Sequence, residues 1–264
     1  MEENNRKKTK KSNRKQYWYV IRELTFREIK RKYARSYLGV LWSVLNPLLT
    51  MLVLSAIFST MFRRSIENFP VYYLTGYIIW HLFNETTKSS MTVLVDNKNL
   101  LIKTRIPKTV FVLSRSYTAL TNFFFSCIAY VFILAVFRMK IGWTWLLFFV
   151  DLVYIMCFSV GVGALLSILY VFFADVKHLY EVLLTLWMYL SAIFYPVARL
   201  PAWMQAVLEV NPIYLFIYFM RTSIMECRVP EMDVWMKMTI FSGGMLVIGI
   251  TAFHRKQNDV MIHI

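Results

Sequence analysis

The chain has 264 residues, of which 58% are hydrophobic and only 17% charged, against about 25% charged in an ordinary soluble domain. A soluble fold of this size leaves roughly a quarter to a third of its surface in water and has no place for so much apolar area. That excludes a soluble enzyme, a disordered tail and a disulfide scaffold. It points to an all-α integral membrane protein with length for about six spans of ~20 residues.

Thirty Lys and Arg against fifteen Asp and Glu give a net charge of +15. Thirteen of the thirty basic residues fall within residues 1–37, seven of them between Arg6 and Lys15. Alone, such a tract fits nucleic acid as well as lipid. Ahead of membrane spans it reads as a basic cytoplasmic tail, residues 1–16, lying near anionic lipid, with no nucleic-acid partner. The apolar run after it, Tyr17 to Ile21, ends at Arg22 and is too short for a cleavable signal core.

Residues 17–35 carry too many charges to span. Trp18, Ile21, Leu24, Ile29 and Tyr33 make one helical face, opposite Glu23, Arg27 and Lys30, which suits a helix lying in the membrane interface. From residue 36 a membrane domain is expected to run to residue 264. Ser36 to Phe62 holds no charge and is the first expected span, bent at Asn46-Pro47. Residues 69–95 are the second. Their first half is aromatic and their second half polar, with Glu85 and Lys88 one turn apart and expected to pair with each other on a face turned away from lipid.

A basic connector, residues 96–108, leads to Pro107, well placed to start a helix. Residues 116–137 and 143–173 are the third and fourth expected spans. Gly161 and Gly163 mark a close helix approach in the fourth, and Asp151, near its start, reads as a solvated acid. A short connector, 174–178, precedes the fifth, 181–195. Pro196, Pro201, Asn211 and Pro212 cut residues 196–222 into pieces too short to cross ~30 Å of hydrocarbon, so two re-entrant half-helices are expected there. Residues 234–253 form the sixth span. Basic residues set the orientation: with the amino terminus inside, twenty Lys and Arg face the cytoplasm and seven face outward, and six spans put both termini in the cytoplasm.

No phosphate loop, GxSxG or HExxH occurs, and Glu85, Asp151 and Glu181 sit on separate helices with no partner acid. The three cysteines and four histidines show no ligand spacing, so neither a metal nor a cofactor is expected in this chain. Tyr37, Trp42, Trp80, Trp187, Tyr189, Phe194 and Tyr195 offer flat apolar faces, the tyrosines with a hydrogen-bonding hydroxyl, and for each a packing or lipid-belt role fits equally well.

The run Tyr37-Leu-Gly-Val-Leu-Trp-Ser-Val-Leu-Asn-Pro47 resembles the signature of ABC-2 type polysaccharide exporter permeases, the membrane subunits that export O-antigen, capsule and teichoic acid chains. Asn99-Leu-Leu-Ile-Lys-Thr-Arg-Ile-Pro107 is similar to that family's first cytoplasmic coupling segment. Phe173-Ala-Asp-Val176 is similar to its aromatic-Arg-Asp-Ile motif, with Ala174 where arginine is usual. Pro196, Leu200-Pro201, Asn211-Pro212 and Arg221 resemble its gate-helix region.

The resemblance implies a permease in the bacterial cytoplasmic membrane that exports a lipid-linked polysaccharide. Its partners would be a second copy of itself, two copies of a separate ATP-binding subunit that carries ATP and Mg, and membrane lipids. It implies ATPase coupling through Asn97, Asn99, Leu100, Lys103, Arg105, Pro107, Asp175 and Lys177. It implies a substrate path along Tyr37, Trp42, Asn46, Trp80, Glu85, Lys88, Tyr189, Phe194 and Tyr195, and a gate region at Pro196, Pro201, Asn211, Pro212 and Arg221. Two other readings stay open: a permease of the same fold for a drug or small lipid, and a membrane-bound acyl- or glycosyltransferase.

Overall fold

The computed structural model describes residues 2–33, 38–39, 41–62, 68–104 and 106–263. Two expected site residues, Tyr37 and Arg105, lie outside them. Among the described residues ten helices follow in order: α1 (Glu2–Tyr33), α2 (Leu41–Phe62), α3 (Phe69–Asp96), α4 (Lys98–Lys103), α5 (Thr109–Val136), α6 (Leu147–Phe172), α7 (Val176–Tyr189), α8 (Ala202–Glu209), α9 (Pro212–Ile224) and α10 (Met232–His263). Short 3-10 turns precede α6 and α8.

The core forms around α3, which packs on α2, α5, α6 and α9. Small and hydroxylated side chains allow this. Thr86, Thr87 and Ser90 are buried on its polar half, and a methyl group at Gly163 would lie 2.7 Å from Ser90 Cβ, so α3 and α6 nearly touch. Helices α6 and α10 approach closer still. A Cβ at Gly249 would sit 2.0 Å from the Gly161 carbonyl oxygen, as the expectation of close packing at Gly161 and Gly163 requires.

The expectation of six spans with two re-entrant gates does not survive. Among the described residues four helices are long and apolar enough to cross a membrane: Leu41–Phe58, Thr109–Val136, Trp143–Phe172 and Met232–Gln257. The second expected span, α3, is 28 residues long, but its polar second half disqualifies it. The fifth is α7, 14 residues, or about 21 Å at 1.5 Å per residue. Nor are 196–222 a pair of dipping gates. The proline and asparagine breaks are real, but α8 is largely exposed, whereas α9 is buried along most of its length against α3, α6 and α10. It is a core helix. Asn211 caps it, accepting from the Ile213 and Tyr214 amides, with Pro212 in the first turn.

Two smaller expectations also change. Asp151 is not solvated: it is fully buried in α6 and neither carboxylate oxygen accepts a hydrogen bond. Glu85 and Lys88 do not pair with each other. Glu85 Oε1 meets Lys32 Nζ at 2.9 Å, and Lys88 Nζ meets Glu181 Oε1 at 2.9 Å. Helical spacing permits the 85–88 pair, but α1 and α7 bring better-placed partners.

Candidate functional site

Residue spacing on α3 builds the site. Phe69, Tyr73, Tyr77, His81 and Glu85 recur every fourth position and therefore share one helical face. Their rings follow one another at 6.4, 5.5 and 5.6 Å between centroids. Phe194 joins the stripe 5.7 Å from Tyr73, and Tyr189 lies 5.8 Å from Phe194. Phe58 of α2 covers Phe69 and Phe194.

At its Glu85 end the stripe reaches two adjoining cavities between α1, α2, α3 and α5, of about 340 and 310 Å³, which share Lys32 and Asn122. Trp42, Ser43, Asn46, Tyr77 and His81 line the first; Glu28, Arg31, Glu85 and Arg115 line the second. Asn122 Nδ2 donates to Glu85 Oε1 at 2.7 Å. Charged and hydrogen-bonding side chains contribute to both linings, and their ionised groups are matched. Lys32 is spent on Glu85, Arg31 lies 3.3 Å from Glu28, and Arg115 bridges Glu28 and Asp96 at 2.7 and 3.0 Å.

Of the expected path residues, Trp42, Asn46 and Glu85 meet here. Tyr189 and Phe194 belong to the aromatic stripe, and the Tyr195 hydroxyl donates to the Tyr189 carbonyl. Trp80 is buried against Phe83, and Trp187 donates to Asn211 at 2.8 Å. Lys88 faces α7 through Glu181, whose carboxyl it holds below the usual range by its hydrogen bond first and its charge second. Lys32, Tyr77, His81, Arg115 and Asn122 were missed. The fourfold spacing on α3, and an amide inside the apolar run of α5, were the signals that could have found them.

Within the connector 96–108, residues 98–103 form α4. Arg27 donates to Asn97 Oδ1 at 2.8 Å, and the Asn97 amide donates to the Val93 carbonyl. Leu24 and Leu101 share one buried cluster with Val93, Phe111 and Phe253, and Leu100 packs on it. Asn99 and Lys103 are exposed, Pro107 is half-buried before α5, and Lys108 donates to the Gln257 carbonyl. Asp175 precedes α7 exposed, with Lys177 half-buried beside it.

Arg221 stands at the other end of α3. It is buried, donates to the carbonyls of Tyr72, Ala192 and Ile193 at 3.0–3.3 Å, and lies 3.4 Å from the centre of the Tyr72 ring. The Tyr72 hydroxyl in turn donates to the Tyr195 carbonyl at 2.8 Å. Arg221 therefore ties α9 and the turn before Pro196 to α3. Pro201 opens α8, where Gln205 donates to the Leu200 carbonyl.

Known proteins resemble this chain in sequence. The ABC-2 type transporter family pattern matches residues 19–225. The chain is 28% identical over 246 residues to the O-antigen export system permease protein RfbA of Myxococcus xanthus, covering 92% of this chain and 95% of that one. It is 27% identical over 235 residues to RfbA of Klebsiella pneumoniae, covering 88% and 90%. It is 23% identical over 261 residues to the polysialic acid transport protein KpsM of Escherichia coli, covering 92% and 95%.

Proposed function

The chain belongs to the ABC-2 type transporter family, and from that premise we propose that it is the membrane-spanning subunit of an ATP-driven exporter of a lipid-linked polysaccharide of the O-antigen or capsule kind. The observation that carries this reading is the polar cavity beside α1, rimmed by Trp42 and Asn46 and continued along α3 by stacked rings. Rings offer faces to sugars, and amides and hydroxyls offer edges. The names of the relatives, O-antigen export and polysialic acid transport, favour the same substrate class.

The assembly we infer is a homodimer in the bacterial cytoplasmic membrane. Leu24 of α1, Leu101 of α4 and Phe253 and Val260 of α10 pack together, with Phe172 at the end of α6 against them, and we place that shared end in the cytoplasm. Helix α3, buried within the bundle, carries the chain back to it without facing lipid. Two copies of an ATP-binding subunit, holding ATP and Mg, dock on α4 and on residues 174–178. Exposed Asn99, Lys103 and Asp175 supply the docking surface. Arg105 completes the basic patch in sequence. Leu24, Arg27 and Arg115 fasten α1 to α4 and to the end of α3, so a push on α4 moves α1, whose last turn lays Lys32 over Glu85.

Depletion of the chain tests the reading. Polymer should fall at the cell surface while its lipid-linked form accumulates inside. Unchanged surface polymer in depleted cells would refute it.

A further inference from the structure

A third cavity, of about 220 Å³, lies between α5, α6 and α10. Its walls are Val112 and Leu113 of α5, Val160 and Ala164 of α6, and Ile250 and Phe253 of α10. Leu113 and Ile250 are 43% and 37% exposed, so the cavity opens outward as an apolar cleft. The three helices around it are long and apolar enough to cross the membrane. Thr109 and His254 are the polar members of the lining, both at the end placed in the cytoplasm above.

Two features indicate what fills the cleft. The first is charge at its mouth. Lys108 stands just before Thr109 and donates to the Gln257 carbonyl, three residues beyond His254. A carbonyl is uncharged, so the ammonium keeps its net charge there. No side chain caps the start of α5, and a helix start carries partial positive charge. Helix α5 contains no acid, and Asp259, the one acid of α10 beyond Asp233, is met by Lys256 at 3.2 Å. The mouth therefore favours an anion.

The second feature is length. Gly243, Val247, Ile250 and His254 share one face of α10 and are exposed. A Cβ at Gly243 would meet nothing within 4 Å. From His254 this stripe extends about 16 Å at 1.5 Å per residue, close to half of a ~30 Å hydrocarbon core. One leaflet's acyl chain matches that length, whereas a free phosphate would occupy the mouth alone.

We propose that the cleft binds an anionic phospholipid of the cytoplasmic leaflet, with one acyl chain between α5, α6 and α10 and the phosphate held by Lys108, Thr109 and His254. A lipid seated there ties the start of α5, where the connector 96–108 ends, to α10. The assignment does not depend on the exported polymer; it rests on the placement of this end in the cytoplasm.

The test uses the full chain in phosphatidylcholine nanodiscs containing a trace of photoreactive lipid, with a diazirine in its apolar chain, and maps cross-linked residues by mass spectrometry. The probes are phosphatidylglycerol, phosphatidylcholine and a polyprenyl phosphate. Phosphatidylglycerol should mark Leu113, Val160 and Ile250 about fivefold more than phosphatidylcholine does, the attraction of one basic residue for an anionic headgroup. Lys108→Gln keeps a donor for the Gln257 carbonyl and should bring the two lipids within about twofold of each other, while Lys108→Arg keeps the preference. Leu113→Trp fills the cleft from an exposed position and should remove labelling of Val160 and Ile250 by either lipid. Equal labelling by the two phospholipids in the unchanged chain would overturn the assignment and leave an ordinary lipid contact. Stronger labelling by the polyprenyl phosphate than by phosphatidylglycerol would overturn it in favour of the polymer's carrier. No labelling at the three positions would show that lipid does not enter the cleft. Nanodiscs offer both leaflets alike, so these outcomes are separate from the orientation and from the export reading, which depletion tests.

Discussion

Arg115 Nη1 of α5 lies 2.7 Å from Glu28 Oε2 of α1, with both side chains 11% exposed. Its Nη2 reaches Asp96 Oδ2 at the end of α3. One planar guanidinium thus joins three helices around α4, a task its fork geometry suits and a lysine's point charge does not. Removing Arg115 leaves Glu28 with its longer contacts to Arg31 and Arg27, at 3.3 and 3.6 Å. Arg115→Gln should therefore cost about 2 kcal/mol, the loss of hydrogen bonds to charged groups, and Arg115→Lys should recover less than half of it. Thermal unfolding of the purified protein checks both; equal stability of wild type and Arg115→Gln would remove the clamp from this account.

The ion pairs of α3 predict how double mutants behave. Lys32 and Glu85 touch, so their effects on export should be strongly non-additive. Glu85 and Lys88 answer to different partners, so Glu85→Gln and Lys88→Gln should add within about 0.5 kcal/mol. Lys88 and Glu181 are both well exposed, and Lys88→Gln alone should change stability by about 1 kcal/mol or less. A stability and export cycle on the three variants reads this out. Coupling between positions 85 and 88 would contradict the pairing.

Glycine positions separate packing from propensity. At Gly249 an added methyl meets the Gly161 backbone, whereas at Gly243 and Gly244 it meets nothing within 4 Å. Gly249→Ala should sharply lower membrane abundance. Gly243→Ala and Gly244→Ala should be neutral or stabilise by up to about 1 kcal/mol, from helix propensity. Equal tolerance at all three positions would mean that α6 and α10 do not cross there.

These cases show where sequence reasoning reached. Gly161 and Gly163 were legible because a small residue admits a neighbour, and the break at Asn211-Pro212 was legible because proline interrupts a helix; the cap that Asn211 gives the start of α9 was not. The span count failed at α3, whose polar second half was seen but read as the inward face of a spanning helix, and at α7, whose 14 residues are too few to cross. The Glu85–Lys88 expectation failed for a related reason. Spacing along one helix is visible in sequence, but the approach of Lys32 and Glu181 from other helices is a tertiary fact. The cavity was half legible: Trp42, Asn46 and Glu85 were singled out, whereas His81 and Asn122 acquire meaning only once α1, α2 and α5 surround them.

Docking of the ATP-binding subunit is tested at exposed Lys103. Lys103→Glu together with Asp175→Ala should abolish co-purification of the partner and its stimulated ATP hydrolysis while leaving the permease at normal abundance. Retained association and hydrolysis would move the docking surface off α4 and residues 174–178.

The central claim is ATP-driven movement of a lipid-linked sugar chain through this subunit. Proteoliposomes containing the chain and its ATP-binding partner, loaded with the host's lipid-linked polymer on the ATP side, test it most directly. The account predicts that polymer becomes accessible to a glycosidase on the opposite side only when ATP is hydrolysed, and that a partner unable to hydrolyse ATP abolishes this. An assembled complex that hydrolyses ATP and leaves all polymer on its original side would contradict it.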